Sequence, residues 1–275
     1  MKAYSHYIFD LYGTLLDIET DERPAAFWRF LAGLYQAYGC SWTGPAIQAA
    51  YLRMCAEEET ALRSAANPWP EIRLERVFVR LLLECPKRYP CVGHIGGSSV
   101  ENLCLQYEAS PESVIDALMQ SEWVYAIANA FRVRSRKRLR TYKSTLPVLH
   151  ALQGAGKGVY LLSNAQAIFT LPELEQTGLL PCFRKIYISS DYGTKKPHAA
   201  FLQRLMNEEG LAPEACVMVG NEPESDISVA RACGVDSVYL NTAHAPEAQC
   251  REKLLAISPA GKTQLILSGD LKELL

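Results

Sequence analysis

Tyr7-Ile8-Phe9-Asp10-Leu11-Tyr12-Gly13-Thr14-Leu15 is the stretch whose reading decides the fold. Three consecutive apolar residues make a short strand that breaks at Asp10, and Gly13 three positions later supplies a tight turn. A carboxylate is thereby placed at the C-terminal end of a strand. The strand signal returns after Lys143, in apolar runs at Gly158 to Leu162, Lys185 to Ile188, Cys216 to Val219, Ser237 to Leu240 and Gln264 to Leu267. Helical segments separate these runs. Such alternation implies an α/β fold, a doubly wound parallel sheet covered on both faces, with ligands bound at the carboxyl ends of the strands.

Between about Asp17 and Lys143 the pattern changes. Pro24 to Tyr38 and Glu71 to Leu83 repeat apolar residues at helical spacing, while Pro86, Pro90 and the Gly93 to Ser99 stretch mark a loop between two helical groups. The expected organisation is a core of residues 1–16 and 144–275, interrupted by a helical cap over 17–143. A chain of 275 residues accommodates two such domains.

Hydrophobic residues make up 49% and charged residues 21%, enough apolar material for packed cores. A net charge of −2 supplies no global field for nucleic acid or an anionic membrane, so an anionic substrate has to be caught locally. No apolar run approaches a bilayer span, and Met1 to His6 lead into a strand, not a signal peptide. A cytoplasmic monomer or homodimer is expected, with a small-molecule anionic substrate as partner. The nine cysteines, odd in number and free of C-x-x-C pairs, suit neither a disulfide framework nor a zinc site; they read as reduced, buried apolar residues.

Four motifs carry chemistry, and each directly follows or closes a predicted core strand or its connecting loop: Asp10 to Leu15, Leu162-Ser163-Asn164, Gly193-Thr194-Lys195-Lys196-Pro197, and Val219-Gly220-Asn221-Glu222-Pro223-Glu224-Ser225-Asp226-Ile227. Together they resemble the haloacid-dehalogenase-like hydrolase superfamily, in its helical-cap form. That resemblance implies that Asp10 attacks the substrate and forms an aspartyl-enzyme intermediate hydrolysed by water. It implies that Ser163 and Asn164 hold substrate oxygens and that Lys196 neutralises Asp10 and developing negative charge. It also implies a magnesium site from Asp10, the Tyr12 carbonyl, and Glu222 or Asp226.

The chain departs from the phosphatases of this superfamily at Tyr12, where they carry an acid-base aspartate two positions after the nucleophile. A phenol is a poor general base at neutral pH, although it can donate a hydrogen bond to substrate. Asp-Leu-Tyr-Gly-Thr-Leu is similar instead to the L-2-haloacid dehalogenases, whose halide leaving group needs neither proton nor metal. Against that, the fourth motif keeps Glu222 and Asp226, and Leu202 stands where those enzymes have a tyrosine. Arg53 is the single nomination for a substrate-carboxylate ligand, and Asn221 occupies the place of the fourth motif's first acid, so that Glu222 is expected to take over. The expected function is a magnesium-dependent phosphohydrolase of a small phosphorylated metabolite, with a haloacid dehalogenase and a non-catalytic ligand-binding relative as alternatives. Three other runs read as structural: the Gly154 to Gly158 turn, Gly261-Lys262-Thr263, and the basic stretch Arg132 to Arg140 as a solvated helix face.

Overall fold

The computed structural model describes residues 4–258 and 263–275; Gly261 and Lys262 of the run read above, and Met1 to Ala3, lie outside the described residues. The elements run β1 (His6–Phe9), β2 (Leu16–Thr20), α1 (Ala25–Gln36), α2 (Gly44–Leu62), α3 (Leu74–Leu83), β3 (His94–Ile95), β4 (Ser98–Ser99), α4 (Val100–Ala109), α5 (Pro111–Met119), α6 (Glu122–Ser135), β5 (Arg136–Thr141), α7 (Thr145–Gly154), β6 (Gly158–Ser163), α8 (Ala167–Gln176), β7 (Lys185–Ile188), α9 (Ser189–Tyr192), α10 (Ala199–Glu209), β8 (Cys216–Gly220), α11 (Ser228–Ala232), β9 (Asp236–Leu240), α12 (Glu247–Ile257) and β10 (Thr263–Ile266). They form two compact units. The first holds Met1–Ile18, Arg63–Glu71 and Arg138–Leu275, and the second Glu19–Leu62 and Ile72–Lys137.

The first unit is built on a six-stranded sheet in the order β10-β9-β8-β1-β6-β7, with every neighbouring pair parallel. Alternate residues of each strand feed two separate cores. Tyr7, Phe9, Val159, Leu161, Val217 and Val219 meet Val148, Leu149 and Leu152 of α7 and Leu174 of α8 on one face. Ile8, Tyr160, Leu162, Tyr187 and Met218 meet Phe201, Leu202 and Leu205 of α10 and Val229 of α11 on the other. This is why the strands read as continuous apolar runs: both faces are covered. The register sets Phe9 beside Leu161 and Val219, so Asp10, Leu162-Ser163 and Gly220-Asn221 all reach one rim of the sheet.

The second unit is helical. Phe27, Trp28, Tyr51, Phe78 and Phe131, from α1, α2, α3 and α6, pack ring against ring, with Phe131 4.9 Å from Phe27, 5.3 Å from Phe78 and 5.6 Å from Tyr51. Ser121 caps α6 by accepting from the Val124 N–H at 3.3 Å, and Glu122 sits in its first turn, both favourable to a helix N-terminus. Among the described residues no helix is long and apolar enough to cross a membrane.

The basic stretch Arg132 to Arg140 is not one helix face. Its helix stops at Ser135 and the chain continues as β5, which pairs with β2. Arg138 and Arg140 each reach Asp17 of β2 at 2.9 Å, and these cross-strand ion pairs favour a strand that β-propensity alone does not. Residues 93–99 form the expected loop, folded as the small β3-β4 hairpin.

Three of the four tryptophans, Trp28, Trp42 and Trp123, belong to the second unit. Phe131→Ala is therefore expected to lower the tryptophan-monitored stability to urea by about 3–5 kcal/mol, the usual loss for a large aromatic in a packed core. A midpoint unchanged from wild type would contradict the central place given to this ring.

Candidate active site

The ladder extends one residue beyond β1, because the Asp10 N–H donates to the Val219 carbonyl at 2.9 Å. The chain then coils tightly, and the Leu11 carbonyl accepts from the N–H groups of Thr14, Leu15 and Leu16. Gly13 has φ of 79°, and a Cβ there would overlap the Asn221 side chain, so only glycine fits. The turn brings the Thr14 hydroxyl to 3.1 Å from both Asp10 Oδ2 and Asn221 Oδ1. A single hydroxyl hydrogen serves one of these acceptors at a time.

Lys196 lies beneath this turn, 2% exposed. Its Nζ donates to Asp10 Oδ1 at 2.7 Å, Asp226 Oδ1 at 2.7 Å and the Leu162 carbonyl at 2.8 Å, which uses all three ammonium hydrogens. Burial alone disfavours its charge, but Asp10 and Asp226 raise its pKa on balance. Asp226 is completely buried, its Oδ2 accepts from the Glu222 N–H at 3.0 Å, and any Cβ at Gly220 would collide with it. Its pKa is pushed up to about 6, first by burial and then by Asp10, against the opposing pull of Lys196. Two carboxylates thus share one ammonium, and the site carries excess negative charge.

Ser163, at the end of β6 and on the same rim, is 1% exposed, and among the described residues its buried hydroxyl has no hydrogen-bond partner. Asn164 is used differently from the expectation that it holds substrate. Its Oδ1 accepts from the Lys196 N–H at 2.8 Å and its Nδ2 donates to the Lys196 carbonyl at 2.9 Å, so both polar atoms of the amide help to fix the lysine's main chain.

Tyr12 also differs from the reading of a substrate-facing phenol. Its hydroxyl donates to Glu173 Oε2 at 2.6 Å and lies 3.1 Å from Thr170 Oγ1, both on α8 and both buried. Only the main chain of Tyr12 remains for the loop around Asp10. Glu222 is not gathered with the carboxylates: it is exposed, and its carboxylate accepts from Ser225 Oγ at 3.2 Å. Asn221, held by Thr14, occupies the place by Asp10 because the chain continues extended past Gly220. Arg53 belongs to the second unit, on α2, half-exposed and paired with Glu57 at 2.6 Å.

Among the described residues no group of three or more His, Cys, Asp or Glu side chains gathers as a metal centre. The donor chemistry at Asp10 nevertheless suits a magnesium ion: two carboxylates and an amide oxygen, all hard oxygen donors, with a charge left uncompensated by Lys196.

A parallel sheet with an aspartate at its central rim, backed by a buried lysine and a second aspartate, defines a hydrolase class. The chain belongs to the haloacid dehalogenase-like hydrolases, whose family model matches residues 4–234. It is 28% identical over 176 residues to a phosphoserine phosphatase of Thermus thermophilus, covering 58% of this chain and 70% of that one. It is 29% identical over 150 residues to a phosphoglycolate phosphatase of Nitrosococcus oceani, covering 53% and 64%, and 24% identical over 119 residues to a pyrimidine 5'-nucleotidase of Streptococcus pneumoniae, covering 43% and 50%. The 2-haloacid dehalogenase from Pseudomonas syringae shares the fold, with a TM-score of 0.52 at 18% identity over 92% of this chain and 99% of that one.

Replacing Lys196 by Met leaves two buried carboxylates without their cation, and a loss of about 3–5 kcal/mol is expected at pH 7. The sign of its pH dependence follows from Asp226. Without the ammonium, the folded-state pKa of Asp226 rises further above its unfolded value. The folded form then binds more protons, and stability increases as pH falls. Thermal melts of wild type and Lys196→Met should show a deficit that narrows from pH 7 to pH 5; a deficit independent of pH would contradict the charge assignment.

Proposed function

We propose that this hydrolase cleaves a phosphate monoester of a small anionic metabolite with the help of magnesium, through an aspartyl phosphate on Asp10. One observation carries the reading: Asp226 is kept, fully buried, with Asp10 around a single ammonium, leaving charge that a divalent cation balances. Attack on a carbon-halide bond has no need of that arrangement. The phosphatase names of the relatives support the same reading.

In this proposal a carboxylate oxygen of Asp10 attacks phosphorus as the bond to the leaving oxygen breaks. Water then attacks the same phosphorus, releasing phosphate and restoring Asp10. Lys196 holds the Asp10 carboxylate in place, and the free Ser163 hydroxyl donates to a phosphoryl oxygen. Magnesium, held by Asp10, Asp226, Asn221 Oδ1 and the Tyr12 carbonyl with water, would neutralise phosphate charge. Because the Tyr12 hydroxyl is committed to Glu173, the leaving oxygen takes its proton from solvent.

Two tests follow. Asp10→Asn should abolish turnover in a folded protein, and EDTA should remove phosphate release from wild type. The missing acid makes the rate depend steeply on the leaving group: p-nitrophenyl phosphate should outpace an alkyl phosphate by about 10²- to 10⁴-fold, the usual worth of acid-base help. Tyr12→Asp restores a carboxylate but leaves Glu173 buried without this donor, so the double variant Tyr12→Asp/Glu173→Gln is the one expected to narrow that ratio. Equal rates for aryl and alkyl substrates in wild type would sink the reading of an absent acid.

The committed Tyr12 hydroxyl also favours a second reading, since halide departs without a proton. EDTA-resistant halide release from a 2-haloacid, with no phosphate release from any ester, would replace the phosphatase proposal.

A further inference from the structure

The segment Arg63–Glu71 falls between α2 and α3, yet it is part of the first unit. It lies along the loop that precedes Lys196. The Glu71 N–H donates to the Gly193 carbonyl at 3.1 Å, Asn67 Nδ2 donates to the same carbonyl at 2.8 Å, and the Lys195 N–H donates to the Trp69 carbonyl at 3.0 Å. Pro70 and Thr194 form an antiparallel bridge. Residues 193–195 are thus held by main-chain bonds from a stretch more than a hundred positions away in sequence.

The Glu71 side chain extends the grip to a second loop. Its Oε2 accepts from the Ser189 hydroxyl at 2.9 Å and its Oε1 from Gln166 Nε2 at 3.2 Å. Ser189 is fully buried; its oxygen in turn accepts from the Ala165 N–H at 2.8 Å and lies 3.1 Å from the Ala165 carbonyl, so its one hydrogen serves Glu71 or that carbonyl at a time. Ala165 follows Asn164, whose amide pairs with both main-chain groups of Lys196. One carboxylate therefore joins the strap to the loop after β6, and that loop fixes the residue whose ammonium touches Asp10.

We propose that Glu71 is a positioning residue for Lys196, acting through Ser189, Ala165 and Asn164 while its own main chain holds Gly193. A shift of about 1 Å in a reacting group can lower turnover 10²-fold, which sets the scale on which such bracing is felt. The kinetic part of this inference rests on the proposed phosphatase reading; the structural part does not.

The test compares wild type, Glu71→Ala, Glu71→Gln and Ser189→Ala in the full chain. Hydrolysis of p-nitrophenyl phosphate with magnesium should lose about 10- to 100-fold in kcat, with little change in KM, for Glu71→Ala and Ser189→Ala. Glu71→Gln keeps an acceptor for Ser189 and a partner for the Gln166 amide, and should recover most of the rate. Amide hydrogen exchange gives a readout free of activity: the Lys196 N–H, which donates to Asn164, should exchange faster in Glu71→Ala than in wild type, while Glu71→Gln stays protected. Unchanged kcat in a folded Glu71→Ala, or equal loss in the Gln and Ala variants, overturns the proposal. If wild type releases no phosphate, the function reading fails by itself. Exchange then decides the matter, faster exchange in Glu71→Ala supporting the brace and unchanged exchange overturning it.

Discussion

A buried ammonium shared by two carboxylates is the constraint on which the first unit turns. Lys196 is enclosed with all three hydrogens committed, and each acceptor comes from a different strand end: Asp10 after β1, Leu162 in β6, and Asp226 beyond β8. A buried cation is tolerated only when every donor is paired, so the strand ends cannot drift apart without exposing an unpaired charge. Other features serve the same contact. Gly220 makes room for the Asp226 carboxylate, Gly13 makes room for Asn221, and Asn164 holds the lysine's main chain from both sides.

The sheet was legible because both of its faces are covered, which leaves uninterrupted apolar runs in the sequence; the strand expected at Lys185 to Ile188 has those bounds in the structure, and the others differ by a residue or two. Asp10 was legible for a related reason, since it sits at a break in a regular pattern, whereas Lys196 was legible only through the resemblance of its motif to the family's. What the sequence hid depends on side-chain direction and on partners distant in the chain. Nothing local distinguishes a Tyr12 that faces a substrate from one bonded to Glu173. Strand β5 is a run of basic residues whose pairing is decided by Asp17, over a hundred positions earlier. Glu71 stands in an ordinary helix-start context, and no spacing rule connects it to Ser189.

The two kinds of relative bear on function unequally. Likeness to a dehalogenase at 18% identity speaks for the fold, which hosts several chemistries. The choice between them lies in the side chains. In the proposed reading Asp226 and Asn221 handle charge at phosphorus, whereas Tyr12, bonded to α8, does not supply a proton to a poor leaving oxygen. A site with nucleophile and counter-charge but no acid-base carboxylate suits substrates whose leaving group is already stable as an anion.

The place of β1 at the centre of the sheet has a consequence for synthesis on the ribosome. His6 meets Gly158 on one side and Cys216 on the other, so the strand made first waits for partners made about 150 and about 210 residues later. At roughly 5–20 residues per second that delay is on the order of 10–40 s. The helices of the second unit are complete well before β8 emerges, and are free to form in the interval. The nascent chain therefore carries an apolar strand with two open edges until β6 is made and with one open edge until β8 is made, the interval in which a holdase would leave its mark on yield.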